Sequence, residues 1–386
     1  MQGLSEEQRL FETTAREFCE KHLRPLVDAA ERTECFPRGE ILPAMAELGF
    51  FRIGVPEALG GVGGDSTMLC VLAEHVARIC GGFAAAVAPS VLGPSLLAPL
   101  GTAGQRDAWL RPIMEGRVLP ALAVTEPGAG SDLLAMRTTA RRDGDAYVLN
   151  GAKTFITNGP VADVLFVAAV LSEFAARTGV ARGVGINLFL VPRDTPGFHV
   201  ARKLGKLGMR SSETGELVFE ECRIPQEYRI GGRDVNFIRV MHVLDQNRLY
   251  VAGLSIGLAQ AAFEAALTYA QQRETFGKPI GSHQAVAFML ARMATDLEAA
   301  RALLRHAAAG YDSGTRASRL VSMAKLFATE AAVRITGDAL QIHGGYGYMT
   351  EFPLERYFRD AKVGTIWEGT SQIQQMIIAQ DLGLLR

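Results

Sequence analysis

The chain lacks most of the marks by which binding chemistries announce themselves. Its 40 basic and 41 acidic residues nearly cancel, leaving a formal net charge of −1. Bulk charge therefore draws it neither to nucleic acid nor to an anionic membrane. The five cysteines (Cys19, Cys35, Cys70, Cys80 and Cys222) are odd in number and no pair has CxxC spacing. Buried, reduced thiols are expected rather than a disulfide framework or a zinc site. There is no HExxH and the seven histidines are scattered, so no metal site is expected. GxxxxGK[ST] is absent, and "GGVGGDS" and "GVGIN" lack the third glycine of GxGxxG, so a Rossmann phosphate loop is unsupported. The longest apolar stretches, such as Val161–Leu171, carry a charge or are too short for a bilayer, which takes about 20 residues. The opening "MQGLSEEQRLFE" has no apolar signal core. These absences predict a soluble, cytoplasmic protein without membrane insertion.

What is present is a core. Hydrophobic residues make up 48 % of 386, enough for two or three domains at roughly 100–200 residues each. Three zones follow. Residues 1–118 read as an N-terminal helical domain: Phe11, Ala15, Phe18 and His22 share a helical face, and Ser5 with Gln8 forms a capping box. Residues 119–232 read as a small antiparallel β-barrel, with alternating runs such as "YVLNGAKTFITNG" and "GELVFEECRIP", and with Asp143-Gly144 and Asn150-Gly151 as hairpin turns. Residues 233–386 return to long Ala/Leu-rich helices, which predict a tightly packed four-helix bundle. The fold class is therefore α+β. Gly253-Leu-Ser-Ile-Gly257 matches G-x-S-x-G, but it lies in a helical stretch rather than after a strand, so close helix contact explains it better than a nucleophile elbow.

Four stretches carry chemistry: "AVTEPGAGSD" (123–132), "KTFITNG" (153–159), "RETFGKPIGSHQA" (273–285) and "QIHGGYGYMTEFPLERYFRDAKVGTIWEGTSQIQ" (341–374). In this order, on matching α–β–α zones, they resemble the acyl-CoA dehydrogenase family along nearly the whole chain. The resemblance implies FAD held without a Gly-rich loop. It also implies a homotetramer, a dimer of dimers, in which one subunit completes its neighbour's flavin site.

By that resemblance Val124, Thr125 and Ser131 meet the flavin, and Ser131 also touches the thioester ligand. The ordinary alternative is a Pro-Gly turn. Phe155 and Thr157 line the other side of the isoalloxazine; many relatives have Trp at 155, and the alternative is a plain barrel-core Phe. Arg273 suits a pyrophosphate, because its planar fork makes paired hydrogen bonds. It is placed at the partner subunit's flavin with Phe276 and Gln284; alone it reads as a helix-end Arg. Gln341, Gly344 and Gly345 would wrap the adenine side of FAD, although Gly-Gly also stops helices.

Glu368 stands between Trp367 and Gly369, where the resemblance places the catalytic base. An α-proton of a thioester is a weak acid, and a carboxylate in water is too weak a base to take it. Desolvation raises such a carboxyl's proton affinity. Gly369 leaves room for the thioester, whose carbonyl would be held by the Glu368 N–H. Thr370 and Gln372 open the next helix, whose positive end could face FAD. The rival reading makes Glu368 a helix cap. Some relatives carry the base on another helix; the matching position here is Asn247, which cannot serve. Asp245 and Arg248 match contacts to the pantetheine arm and the base region, or else form a helix-surface ion pair.

Gln380 stands where many relatives have Arg. Lys206 stands where some relatives have a neutral polar residue; it reads as solvent-exposed, with a place near the CoA arm as the alternative. Residues 81–97 would line the acyl cavity, with Pro89 as a bend; no Arg there disfavours a dicarboxylic substrate. The implied activity is α,β-dehydrogenation of an acyl-CoA, with electrons passed to an electron-transfer flavoprotein. The alternatives are an acyl-carrier-protein thioester, an oxidase or monooxygenase of the same fold, or a non-enzymatic helical interaction protein.

Overall fold

A computed structural model describes residues 3–232, 237–314 and 318–385, with side chains at all of these except 180–182 and 237–244. The N-terminal third is helical: α1 (Glu6–Phe18), α2 (Val27–Thr33), α3 (Arg38–Glu47), α4 (Ser66–Ile79), α5 (Gly81–Leu100), α6 (Ala103–Gln105) and α7 (Arg111–Met114). The predicted capping box closes α1: the Gln8 N–H donates to the Ser5 hydroxyl at 3.1 Å, and the Ser5 N–H to the Gln8 side chain at 2.9 Å. Ala15 and Phe18 are buried on its inner face, and Phe18 stacks on His22 with ring centroids 5.1 Å apart.

Two helices correct the expectation about apolar stretches. Gly81–Leu100 has 20 residues and Asp245–Gln272 has 28, both long and apolar enough to cross a membrane. Yet 72 % and 67 % of their most apolar windows are buried inside the fold. Core packing on several faces explains such a composition. α5 runs unbroken through Pro89, Pro94 and Pro99.

The middle zone is a curled seven-stranded sheet: β1 (Pro120–Ala123), β2 (Thr139–Asp143), β3 (Ala146–Thr157), β4 (Val164–Leu171), β5 (Ile186–Pro192), β6 (Phe198–Lys203) and β7 (Thr214–Pro225), with α8 (Gly179–Val184) between β4 and β5. The order is β1-β4-β2-β3-β7-β6, with β5 on the other side of β4. Most pairings are antiparallel, but β4 pairs with β1 and β2 in parallel. Every residue of β4 is buried, as its unbroken apolar run requires.

Asp143-Gly144 does turn the β2–β3 hairpin, where Asp143 faces Ala146. Asn150-Gly151 does not turn: both residues lie inside β3, at a register shift against β7. The Asn150 side chain accepts the Glu221 N–H at 2.8 Å instead of shaping a hairpin. Gly151 is there because a Cβ would lie 2.4 Å from Thr138 Oγ1.

The C-terminal zone comprises α9 (Phe237–Gln272), the small ribbon β8 (Glu274–Thr275) and β9 (Lys278–Pro279), α10 (Gln284–Asp312), α11 (Ser318–His343), α12 (Leu354–Lys362) and α13 (Ser371–Asp381). The junction expected at residue 233 lies outside the described residues. α9 packs on α4, α10 and α11. The α4 contact uses the glycines of the G-x-S-x-G match: a Cβ on Gly253 would lie 2.6 Å from the Cys70 carbonyl oxygen, and one on Gly257 2.1 Å from that of Glu74. Ser255 donates to the Val251 carbonyl one turn back, at 2.8 Å.

Cys19, Cys70, Cys80 and Cys222 are buried free thiols, but Cys35 is exposed, because it follows the end of α2 on the surface. Among the described residues no group of three or more His, Cys, Asp or Glu could hold a metal ion.

Candidate active site

The loop after β1 and the second half of β3 meet through main-chain and side-chain bonds. The Thr154 N–H donates to the Thr125 carbonyl at 2.9 Å. Lys153, fully buried, donates to the Val124 carbonyl and to Glu126 Oε1, both at 2.8 Å. Glu126 also accepts the N–H groups of Arg137 (2.7 Å) and Thr138 (2.9 Å). Burial pushes Lys153 down to about 8 against the pull of Glu126. Burial pushes Glu126 up, but Lys153 and the N–H donors outweigh it and hold the carboxyl below the usual range. The pair is thus ionised at neutral pH, and it locks Val124 in place.

This lock exposes the residues beside it. A bulge between Lys153 and Ile156 turns Phe155 outward, where it is 67 % exposed, so it is not a core residue of the sheet. Thr157 is half-buried and Ser131 is exposed. A Cβ at Gly128 or Gly130 would meet nothing within 4 Å, which leaves the turn's backbone open to a ligand.

Glu368 lies in the bend between α12 and α13. It does not cap α13: the Thr370 hydroxyl does, accepting the Ile373 N–H at 3.2 Å. Arg248 is ion-paired to Asp245 and reaches the Glu368 carbonyl at 3.4 Å. Both are buried, so the surface ion-pair reading of Asp245 and Arg248 fails. The Asn247 amide stands beside the Glu368 carboxyl and favours its ionised form. By surface area Glu368 is exposed, yet its carboxyl is strongly desolvated by the surrounding protein. The atoms packed around the carboxyl desolvate it although part of the residue's surface stays open to solvent. Desolvation raises its pKa; the Arg248 charge, the Asn247 amide and the Lys325 charge oppose that rise.

Among the described residues, seven non-glycine residues have φ in the left-handed region, and three of them are Phe155 (59°), Phe276 (52°) and Glu368 (49°). Such backbone costs about 1 kcal/mol or more per residue and persists where surrounding structure imposes it.

Arg273, Phe276, Gln284, Gln341, Gly344 and Gly345 are all exposed. Phe276, at the tip of the β8–β9 ribbon, is 95 % exposed. Among the described residues no hydrogen bond or ion pair links these six to Glu368 or to the Val124–Phe155 wall. Gly344 ends α11 with φ of 58°, so its helix-stop role is real. Gln372 and Gln380 are exposed, and Gly369 is half-buried. Lys206, expected in solvent, is half-buried and donates to the Ser212 carbonyl at 2.5 Å.

Sequence reasoning missed Lys153, Glu126, Lys325 and Gln374. Lys325 shows only as a charge in an otherwise apolar run, "SMAKLF", and the other three stand in mixed polar stretches; neither context says what lies opposite.

Three family models match consecutive stretches of the chain: acyl-CoA dehydrogenase, N-terminal domain (residues 5–117), middle domain (121–222) and C-terminal domain (237–383). The chain is 42 % identical to the CarC subunit of the caffeyl-CoA reductase–Etf complex of Acetobacterium woodii, over 97 % of this chain and 98 % of that one. It is 41 % identical to the mitochondrial short-chain specific acyl-CoA dehydrogenase of Mus musculus, over 98 % and 90 %. The fold superposes on butyryl-CoA dehydrogenase from Megasphaera elsdenii with a TM-score of 0.92 and 35 % identity, covering 98 % and 99 % of the two chains.

Proposed function

The chain belongs to the acyl-CoA dehydrogenase family, a flavoprotein oxidoreductase family, and from that premise we propose that it interconverts an acyl-CoA and its 2-enoyl-CoA with Glu368 as the α-proton base. The observation that carries this reading is the desolvated Glu368 carboxyl on left-handed backbone, flanked by Asn247, Arg248 and Lys325.

The residues fit FAD. Phe155 and Phe276 are large aromatic faces left in solvent, which a flat ring system would cover. The open backbone at Gly128 and Gly130 admits close approach. Val124, Thr125, Ser131, Phe155 and Thr157 would hold the ring, with Thr370 and Gln372 at the start of α13. Arg273, Phe276, Gln284, Gln341, Gly344 and Gly345 would complete the site of a neighbouring copy in a homotetramer. Their lack of ties to this subunit's own site supports that division. Bound FAD would supply the acceptor for the β-hydride.

The chain itself handles the proton. Glu368, raised by desolvation, takes the α-proton. Its backbone N–H holds the thioester carbonyl as negative charge develops there. Asn247 and the Arg248 guanidinium orient the carboxyl and stabilise its ionised form. Asp245 and Arg248 would meet the pantetheine arm, and Gly369 leaves space for the thioester. The similarity to a subunit of a reductase–Etf complex favours an electron-transfer flavoprotein as redox partner. It also favours a second reading, net reduction of a 2-enoyl thioester, in which protonated Glu368 delivers the proton.

Anaerobic mixing with a panel of acyl-CoAs tests the proposal. Bleaching of the flavin by at least one saturated acyl-CoA is expected. Bleaching by none, together with reoxidation of reduced enzyme by a 2-enoyl-CoA, supports the reductive reading. Rapid reoxidation by air would reject both in favour of an oxidase.

A further inference from the structure

Glu368 and Gly369 are consecutive residues with positive φ, 49° and 90°. Such a pair does not hold itself, and its carbonyls need fixed partners. Three helices provide them. Lys325 Nζ of α11 donates to the Gly369 carbonyl at 2.6 Å. Gln374 Nε2 of α13 donates to the carbonyls of Glu368 (3.1 Å) and Gly369 (3.0 Å). Arg248 Nε of α9 approaches that of Glu368.

Lys325 is the unexpected member. Its side chain is 0 % exposed, and among the described residues no carboxylate lies within 4.0 Å of its ammonium. Burying a cation without a close counter-charge is costly. Leu or Met would fill the same volume of an Ala/Leu-rich helix more cheaply, so packing does not account for it. The charged groups that influence the region are Glu368 itself, Arg248 with its partner Asp245 on α9, and Glu330 on α11; α13 contributes the neutral Gln374.

We propose that Lys325 is a positioning residue of the reaction: its grip on the Gly369 carbonyl fixes the left-handed turn that aims Glu368, and its charge keeps the Glu368 carboxyl ionised as a base. The role rests on reading Glu368 as that base. Burial pushes Lys325 down to about 8, with Glu368 pulling the other way, so the ammonium persists at neutral pH. The cation in turn opposes the desolvation that raises Glu368.

Two measurements test it. A double-mutant cycle of melting temperatures at pH 7, with Lys325→Met, Glu368→Gln and the double variant, reads the coupling without any turnover. Whatever the sign of the single change, Lys325→Met should be less favourable to the melting temperature in the parent, where it strips Glu368 of its cation, than in the Glu368→Gln background; equal changes overturn the coupling. The second measurement is the pH profile of anaerobic flavin bleaching by acyl-CoA. Removing a nearby cation raises a carboxyl's pKa, so Lys325→Met should shift the acid limb upward by about one pH unit, about a tenfold lower rate on that limb. Lys325→Arg should return the limb towards the parent. A folded Lys325→Met, or a Lys325→Arg, that breaks these expectations overturns the role. A parent protein that no acyl-CoA bleaches overturns the dehydrogenase reading alone, because the melting cycle still reports on Lys325.

Discussion

Asn247 stands beside the carboxyl of Glu368 and opposes the rise in its pKa. The position where some relatives carry a base thus holds a neutral amide beside the carboxylate proposed here as the base. The arrangement needs one carboxylate and one donor; two carboxylates so close would raise each other's pKa and compete for one proton.

Replacing Glu368 by Gln preserves shape and hydrogen bonding but removes the proton acceptor. The variant should keep its flavin absorbance and lose about 10³-fold in bleaching rate, within the range of general base catalysis. Stopped-flow absorbance checks it; bleaching near the parent rate would show the base is misassigned. In the parent, the rate should fall as the pH drops through a Glu368 pKa above the ordinary value of about 4.3, because only the ionised carboxyl accepts a proton.

Asp360 joins the C-terminal helices to the sheet zone. It is fully buried, accepts the Met209 N–H, and leaves Oδ2 without a partner. Burial pushes its carboxyl up to about 7. A raised carboxyl binds a proton in the folded state that the unfolded chain has released. Its contribution is therefore greatest below about pH 4 and is lost as the pH rises to 7 and beyond. Asp360→Asn keeps an acceptor for Met209 and removes the titration. Relative to the parent it should gain stability between pH 5 and 8, by on the order of a few kcal/mol. Denaturant unfolding at the two pH values measures this.

The α4–α9 contact tolerates no side chain at Gly257. Gly257→Ala places a methyl against the Glu74 carbonyl, and overpacking of this kind costs about 1–3 kcal/mol. Its melting temperature should drop. Ser255→Ala, which removes only a back-bond to Val251, should retain bleaching.

The buried Lys153–Glu126 pair holds Val124. Lys153→Met leaves Glu126 buried without its cation, a loss of about 3–5 kcal/mol, and frees the wall proposed to face the flavin. Lower stability together with faster flavin loss on dialysis is expected; unchanged flavin retention would separate the pair from the cofactor.

Arg273 is exposed on its own subunit, so Arg273→Ala should leave unfolding of the isolated fold unchanged. If it grips a neighbour's pyrophosphate, losing a charge-assisted bond of about 1.5–3 kcal/mol weakens flavin binding about tenfold or more. Flavin titration of apoprotein reads this directly.

The sequence alone determined the zones, because periodicity and composition are local: the capping box at Ser5, the Asp143-Gly144 turn and the long C-terminal helices can each be read within a dozen residues. It also singled out Glu368, since an acid between Trp and Gly is a local oddity. Only the tertiary structure decided what surrounds that acid. Asn247, Arg248 and Lys325 come from two other helices 43 to 121 residues away in the chain, and no spacing rule connects them to Glu368. The same physics misled at Asn150-Gly151, where a turn-forming pair is held in a strand by β2 and β7, and at α5, whose apolar length is accounted for by burial. Propensity describes a segment by itself; proton affinity, strain and burial depend on what packs against it.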